Sequence, residues 1–107
     1  MKLILAIVSN DDAPAVNRSL NKERFQVTKL STTGGFLKAG NTTLMIGTDD
    51  DKVDHVIKLI ASQSSRRTQL VPSATTMDVG MYSSFPIEVT VGGATVFVLD
   101  VDRFQKV

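Results

Sequence analysis

Cysteine is absent from the 107 residues of this chain, and histidine occurs once, at His55. Without thiols the chain cannot form disulfides, carry out thiol chemistry or bind zinc through thiolates. A single histidine leaves too few nitrogen ligands for a structural metal site. We expect His55 to face solvent, because on the predicted helix it lies two positions after Val53 and so on a different face. A chain without cysteine is also typical of the reducing cytosol, which is the compartment we expect.

Long apolar runs and an excess of charge of one sign are missing as well. The apolar run near the start, residues 3–8, is too short for a signal peptide or a membrane span, and acidic residues follow it. The net charge of +1 gives no electrostatic footprint of a protein that binds nucleic acid or an acidic membrane. Length and ordinary composition therefore predict one domain over residues 1–107.

The signatures of common enzymes are also lacking. There is no Gly-x-Ser-x-Gly elbow, no phosphate-loop lysine and no dinucleotide fingerprint. Small ferredoxin-like phosphatases need an arginine in a phosphate loop, and the glycine-rich stretch of this chain offers only Lys38. The aspartates at 49–51 fit the start of a helix better than a magnesium site, and Asp100 and Asp102 fit a solvated turn. We expect no catalytic residue, no metal and no enzymatic activity.

The hydrophobic pattern alternates between strands and helices. Residues 2–8 read as a buried strand, and residues 25–30 and 42–47 as two more. The first helix follows the capping residues 10–12 and runs to about Arg24, and the second has one apolar face over residues 53–61. This order predicts an α+β, ferredoxin-like βαββαβ fold with an extra C-terminal strand and with both helices on one sheet face.

The last third of the chain carries two further expectations. Residues 62–84 break every period, so we expect a long, mobile and functional loop there. Its pair Arg66 and Arg67 is either a solvated charge or a partner contact. Residues 85–91 and 94–99 flank Gly92-Gly93, a combination that favours a hairpin with a two-residue turn.

What is present in abundance is glycine and threonine, in the stretch TTGGFLKAGNTTLMIG at residues 32–47. Gly34 and Gly35 allow positive φ and bring backbone N–H groups close to an anion. Phe36 offers a face on which a base can stack, and Asn41 has the donor and acceptor that match an adenine edge. The residues leave two interpretations open: a nucleotide cradle, or a hairpin loop whose phenylalanine packs on a neighbouring subunit.

Two long motifs make the sequence recognisable at this point. VTKLSTTGGFLKAGNTTLMIG (27–47) and PIEVTVGGATVFVLDVDRF (86–104) closely resemble the PII-like cyclic-di-AMP receptor proteins of Gram-positive bacteria. The resemblance implies a homotrimer of ferredoxin-like subunits that binds one cyclic-di-AMP in each inter-subunit cleft. It implies no catalysis and no cofactor besides that ligand. It also implies a relay of the signal to a downstream protein through two mobile loops, here residues 32–40 and about 64–84.

The resemblance also implies which residues bind the ligand. Thr28 matches a strand threonine at a phosphate, and Asn41 matches an adenine-edge or phosphate contact. Phe97 matches an aromatic residue from the adjacent subunit. The remaining matches cover the adenine or come close to the ligand through their backbone: Gly35, Phe36, Leu37 and Gly47.

The chain departs from the family just before Thr28. The family commonly has asparagine and arginine two residues apart, and this chain has Arg24 and Gln26 there. If the family's arginine pairs with phosphate, Gln26 forgoes a charge-assisted bond of about 1.5–3 kcal/mol, for which Arg24 is a candidate replacement. A PII-like trimeric interaction module that has lost or changed its ligand is therefore a second interpretation, and a small ferredoxin-like phosphatase is a third.

Overall fold

The computed structural model describes residues 1–30, 40–71 and 87–107. These residues form six strands, two α-helices and one 3₁₀ turn. In chain order they are β1 (Lys2–Ser9), α1 (Ala13–Lys22), β2 (Val27–Leu30), β3 (Asn41–Thr48), the 3₁₀ turn Asp50–Lys52, α2 (Val53–Ser64), β4 (Arg67–Val71), β5 (Ile87–Val91) and β6 (Ala94–Asp100).

Four of the strands form one antiparallel sheet in the order β2-β3-β1-β6. The central strand β1 carries the most apolar sequence, with six apolar residues among its eight. This order with two helices is the ferredoxin-like arrangement, so the predicted α+β fold is confirmed.

Both helices pack on the same face of this sheet. Along β1 the side chains alternate, and Ile4, Ala6 and Val8 are buried beneath the helices. The helices bury residues spaced three or four apart, such as Val16 and Leu20 on α1. The core consists of Ile4, Ala6, Val8, Ala13, Val16, Leu20, Leu44, Ile46, Val56 and Ile60.

The opposite face of the sheet, which we call the open face, is also apolar. Strand register places Leu5 of β1 between Met45 of β3 and Phe97 of β6, and places Leu3 beside Leu99. Phe97 is 52% exposed and Leu99 is 44% exposed. In the described part of the chain neither helix packs on this face, so large apolar side chains remain in contact with water.

The hairpin predicted over residues 85–99 is wrong. Gly92 and Gly93 do adopt positive φ, at 82° and 87°, but the strands on either side of them enter different sheets. β5 pairs with β4 to form a separate two-stranded sheet, the β4–β5 ribbon, and β6 pairs with β1. The extra strands of the fold are thus inserted before the last sheet strand rather than added after it.

The structureless loop predicted over residues 62–84 is also wrong in its first part. Helix α2 continues to Ser64, whose hydroxyl donates to the Ile60 carbonyl over 2.6 Å, and β4 begins at Arg67. The Gly93 N–H donates to the Ser64 carbonyl and so ties the end of the ribbon to the end of the helix. The rest of that segment lies outside the described residues.

The acidic residues predicted at the helix starts are in place but form no side-chain caps. Asp12 is the N-cap residue of α1, and its carboxylate pairs with Arg67 of the ribbon instead. The run at 49–51 leads into the 3₁₀ turn, and Asp50 pairs with the amino group of Met1 at 3.2 Å.

Candidate ligand-binding site

A cavity of about 540 Å³ opens at one end of the open face, and we call it the open-face cavity. Gln26 and Thr28 reach it from one side of the sheet because they alternate with Phe25 and Val27, which pack against the core. Gly47 of β3 contributes backbone. The remaining lining residues are Met1, Leu3, Met45, Val101, Phe104 and Lys106.

A second and more polar cavity of about 770 Å³ adjoins it where α1 ends and α2 begins, and we call it the helix-end cavity. Arg24 lines it, as do the basic residues Lys52 and Lys106. The two cavities share four lining residues: Met1, Gln26, Gly47 and Lys106. Among the expected ligand residues, Arg24, Gln26, Thr28 and Gly47 therefore lie together.

Gly47 lines both cavities at their shared boundary. A Cβ atom built at this position would lie 3.7 Å from the Met1 methyl carbon, which is an ordinary van der Waals contact. The site therefore tolerates a small side chain sterically, and the glycine serves mainly to expose backbone to whatever occupies the cavity.

His55 lies in the helix-end cavity beside the end of α1. Its side chain is 50% exposed, which confirms the expected solvent-facing position. The Nε2 atom lies 2.6 Å from a carboxylate oxygen of Glu23, and the ring centroid is 6.2 Å from that of Phe25. In the described residues no cluster of three or more metal-ligating side chains forms.

Two expected site residues lie elsewhere in the same chain. Asn41 starts β3, and Gly47 lies six residues further on, about 20 Å along an extended strand. Asn41 lines a separate polar cavity of about 230 Å³ together with Arg66, Gly92 and Thr95. The structure thus assigns Arg66, whose role the sequence left open, to the neighbourhood of Asn41.

Phe97 lies at the far edge of the sheet from Thr28. The register aligns Thr28, Met45, Leu5 and Phe97 in one row across β2, β3, β1 and β6. Three strand spacings separate the ends of this row by about 14 Å. One chain therefore does not bring these two residues together. Gly35, Phe36 and Leu37 lie outside the described residues.

Arg67, which was expected in a loop, begins β4 and forms contacts within the chain. Its Nη2 atom donates to Oδ1 of Asp12 over 2.8 Å, and its Nη1 atom donates to the Ser65 carbonyl over 3.1 Å. The Asp12 side chain is 7% exposed, and the hydrogen bond from Arg67 holds the pKa of that carboxyl below its ordinary value. Arg67 thus fixes the ribbon to the start of α1.

Asp100 forms an exposed ion pair with Lys2 at the end of β6. The hydrogen bond from Lys2 lowers the pKa of Asp100, which favours a permanently charged carboxylate at neutral pH.

The sequence reasoning missed the C-terminal wall of the open-face cavity. Val101, Phe104 and Lys106 follow β6, and the Val101 N–H donates to the Met1 carbonyl over 3.3 Å. This contact turns the tail back across the strand ends. The sequence indicated that Phe104 folds back onto the domain but gave no site role to Val101, Phe104 or Lys106.

Fold and cavities define a class: a ferredoxin-like α+β protein with an uncovered apolar sheet face beside a cavity of ligand size. A family model described as cyclic-di-AMP receptor matches residues 1–107, so the chain belongs to the cyclic-di-AMP receptor family. The resemblance noted in the sequence is thereby confirmed. The family is one of receptors, and no helix in the described ranges is long and apolar enough to cross a membrane.

The chain is also similar to a solved structure, described as the crystal structure of a functionally unknown protein from Pediococcus pentosaceus ATCC 25745. The two are 40% identical, with a TM-score of 0.77, and the match covers 99% of this chain and 96% of that chain. This neighbour supports the fold over the whole chain and carries no functional information.

Proposed function

We propose that this chain is a non-enzymatic signal-transduction protein that binds cyclic-di-AMP in the inter-subunit clefts of a cytoplasmic homotrimer, with no further cofactor. The observation that carries the proposal is the open-face cavity, where Gln26, Thr28 and Gly47 meet beside an uncovered apolar face. Membership of the cyclic-di-AMP receptor family supplies the ligand class.

The lining chemistry suits a cyclic dinucleotide. The Thr28 hydroxyl and the Gln26 amide can donate to phosphate oxygens, and Leu3, Met45 and Phe104 offer apolar surface to a purine. A volume of about 540 Å³ is in the usual range for a small-molecule site. One wall is missing, because the cavity continues into the exposed open face, and a neighbouring subunit is the natural cover.

Phe97 supports a cleft between subunits rather than within one. It lies on the open face at the edge opposite Thr28, and half of its side chain is in contact with water. In a ring of subunits, the β6 edge of one chain can approach the β2 edge of the next. Phe97 and Thr28 from different chains then face one ligand.

The β1–α1 turn, residues 9–12, supplies a physical route for a relay. Its Asn10 N–H donates to the Gly40 carbonyl over 3.0 Å, and the Thr42 hydroxyl donates to the Asn10 side chain. Two residues later Asp12 holds Arg67 at the start of the ribbon. The β1–α1 turn therefore connects Gly40 to the ribbon through hydrogen bonds. We propose that a displacement of Gly40 is passed along this route to the ribbon, and from the ribbon to a downstream protein.

Calorimetric titration tests the ligand, with cyclic-di-AMP, cyclic-di-GMP and ATP compared on the same preparation. We expect heat with cyclic-di-AMP and a mass of three chains of 11.6 kDa by light scattering. Thr28→Val keeps the shape of the side chain and removes the hydroxyl, so it should weaken binding while leaving the trimer intact. Heat with another nucleotide only would contradict the ligand assignment.

The neutral Gln26 favours one alternative, a trimeric interaction module that has lost or changed its ligand. A trimer that gives no heat with any of the three nucleotides would select this alternative. Turnover of an acyl phosphate would instead revive the phosphatase interpretation.

A further inference from the structure

We infer that Lys106, in the C-terminal tail, supplies the positive charge that holds a phosphate of the ligand. The inference rests on the proposed function and adds a binding residue to it. Lys106 lines both the open-face cavity and the helix-end cavity, together with Gln26 and Gly47 at their shared boundary.

The charges in the open-face cavity single out this lysine. Among the described residues that line this cavity, Lys106 is the one with a charged side chain. The other cation is the amino group of Met1, which pairs with Asp50. Thr28 and Gln26 can donate hydrogen bonds but leave the negative charge of a phosphodiester unbalanced, and a charge-assisted bond is roughly twice as strong as a neutral one.

Lys106 is available for this role. Over the described ranges it forms no ion pair and no side-chain hydrogen bond. Three acidic residues line the helix-end cavity with Lys106 and would compete with a phosphate for its ammonium group: Glu23, Asp49 and Asp51. Glu23 is already within 2.6 Å of His55.

The tail that carries Lys106 is held at the site by backbone. The Val101 N–H donates to the Met1 carbonyl, and Asp100 pairs with Lys2, so the chain leaves β6 at a fixed point beside the start of β1. Phe104, which is 61% exposed, also lines the open-face cavity. Arg24 is less well placed, because it lines only the helix-end cavity.

The test is calorimetry with cyclic-di-AMP on wild type, Lys106→Ala, Lys106→Arg and Lys58→Ala. Lys58 lies on α2, is exposed and lines neither cavity, so it controls for the loss of one positive charge. We expect Lys106→Ala to weaken binding about 10- to 100-fold, and Lys106→Arg and Lys58→Ala to remain near wild type.

Two further readouts separate a charge contact from a structural role. The affinity of Lys106→Ala should depend less on salt concentration than that of wild type, because screening acts on the lost ion pair. Adding Gln26→Arg to Lys106→Ala should restore affinity, since the new guanidinium enters the same cavity. Thermal unfolding of each variant checks that the fold is kept.

Each outcome decides one question. If wild type binds cyclic-di-AMP and Lys106→Ala binds it as tightly at every salt concentration, the inference is overturned and the proposed function stands. If Lys106→Ala and Lys106→Arg lose affinity equally and Gln26→Arg restores nothing, the charge has no role. If wild type itself gives no heat, the proposed function falls and this inference falls with it.

Discussion

Arg24 follows Glu23, the C-cap residue of helix α1, and has a backbone conformation that usually belongs to glycine. Its φ is 68°, and the Phe25 N–H donates to the Leu20 carbonyl over 3.0 Å, as in a Schellman cap. An L-residue with a side chain pays about 1–2 kcal/mol for this conformation. The strain occurs at a residue that lines the helix-end cavity, next to Gln26.

Because of this backbone geometry, a substitution at Arg24 should change the free energy of unfolding and the affinity for the ligand in opposite directions. Arg24→Gly should raise the free energy of unfolding by about 1 kcal/mol or less, because relief of strain is partly offset by a more flexible unfolded chain. The same variant should weaken cyclic-di-AMP binding if the guanidinium contacts the ligand. Arg24→Lys is the control that keeps both charge and strain. Chemical denaturation and calorimetry measure the two effects, and a destabilised Arg24→Gly would contradict the assignment of strain.

Sequence patterns and structure agree for the strands and helices that form the core. β1 was predicted from its continuous apolar run, and α2 from apolar residues that share one helix face, and both contribute buried residues to the core. The partner of β5 could not be predicted in the same way. Gly92 and Gly93 have the positive φ of a hairpin turn, but Gly93 contacts Ser64, far away in the sequence, and β6 pairs with β1. The residue types of a turn do not indicate a contact with a residue far away in the sequence.

The residues of the candidate site also fall into those that were named from the sequence and those that were not. The family resemblance named Thr28, Gln26 and Gly47 as ligand residues, and the register of β2 on β3 brings them to one cavity. Lys106 was not predicted, since its position depends on how the tail crosses the end of the sheet. Asn41 and Phe97 lie away from that cavity within one chain, so their part in the site stays a prediction about the assembly.

The ribbon is held by an ion pair whose strength depends on pH. Arg67 lowers the pKa of Asp12 below its ordinary value of 3.8. The pair therefore stabilises the folded state above about pH 4, and this contribution is lost as pH falls through the lowered pKa. Asp12→Asn should reduce the thermal midpoint at pH 7 by roughly a few degrees, and the difference from wild type should shrink towards pH 3.

Thermal scans between pH 7 and pH 3 measure this difference. Asp11→Asn, a change at the exposed neighbouring aspartate, is the matched control. A difference between Asp12→Asn and wild type that stays constant down to pH 3 would mean that Asp12 acts through something other than its charge.

In the proposed trimer, the open face forms the interface between whole molecules. Leu99 is 44% exposed in the isolated chain and lies beside Leu3 on this face, so a single chain tolerates a charge there but an interface does not. Leu99→Asp should convert a trimer into monomers of 11.6 kDa in light scattering. Leu70→Asp is the control, because Leu70 is 63% exposed on the ribbon. A trimer that survives Leu99→Asp would place the interface on another surface.

A cleft shared between subunits also predicts complementation between defective chains. Thr28 and Phe97 lie at opposite ends of one row of the sheet, about 14 Å apart, so we expect each cleft to take one from each neighbour. Homotrimers of Thr28→Val and of Phe97→Ala should both bind weakly. Mixed trimers, isolated through a different tag on each chain, should regain one tight site, since one boundary in the ring then joins an intact Thr28 to an intact Phe97.

If both residues served a site within one chain, every chain in a mixed trimer would carry a defect. No tight site would then appear at any mixing ratio, and calorimetric stoichiometry distinguishes the two cases.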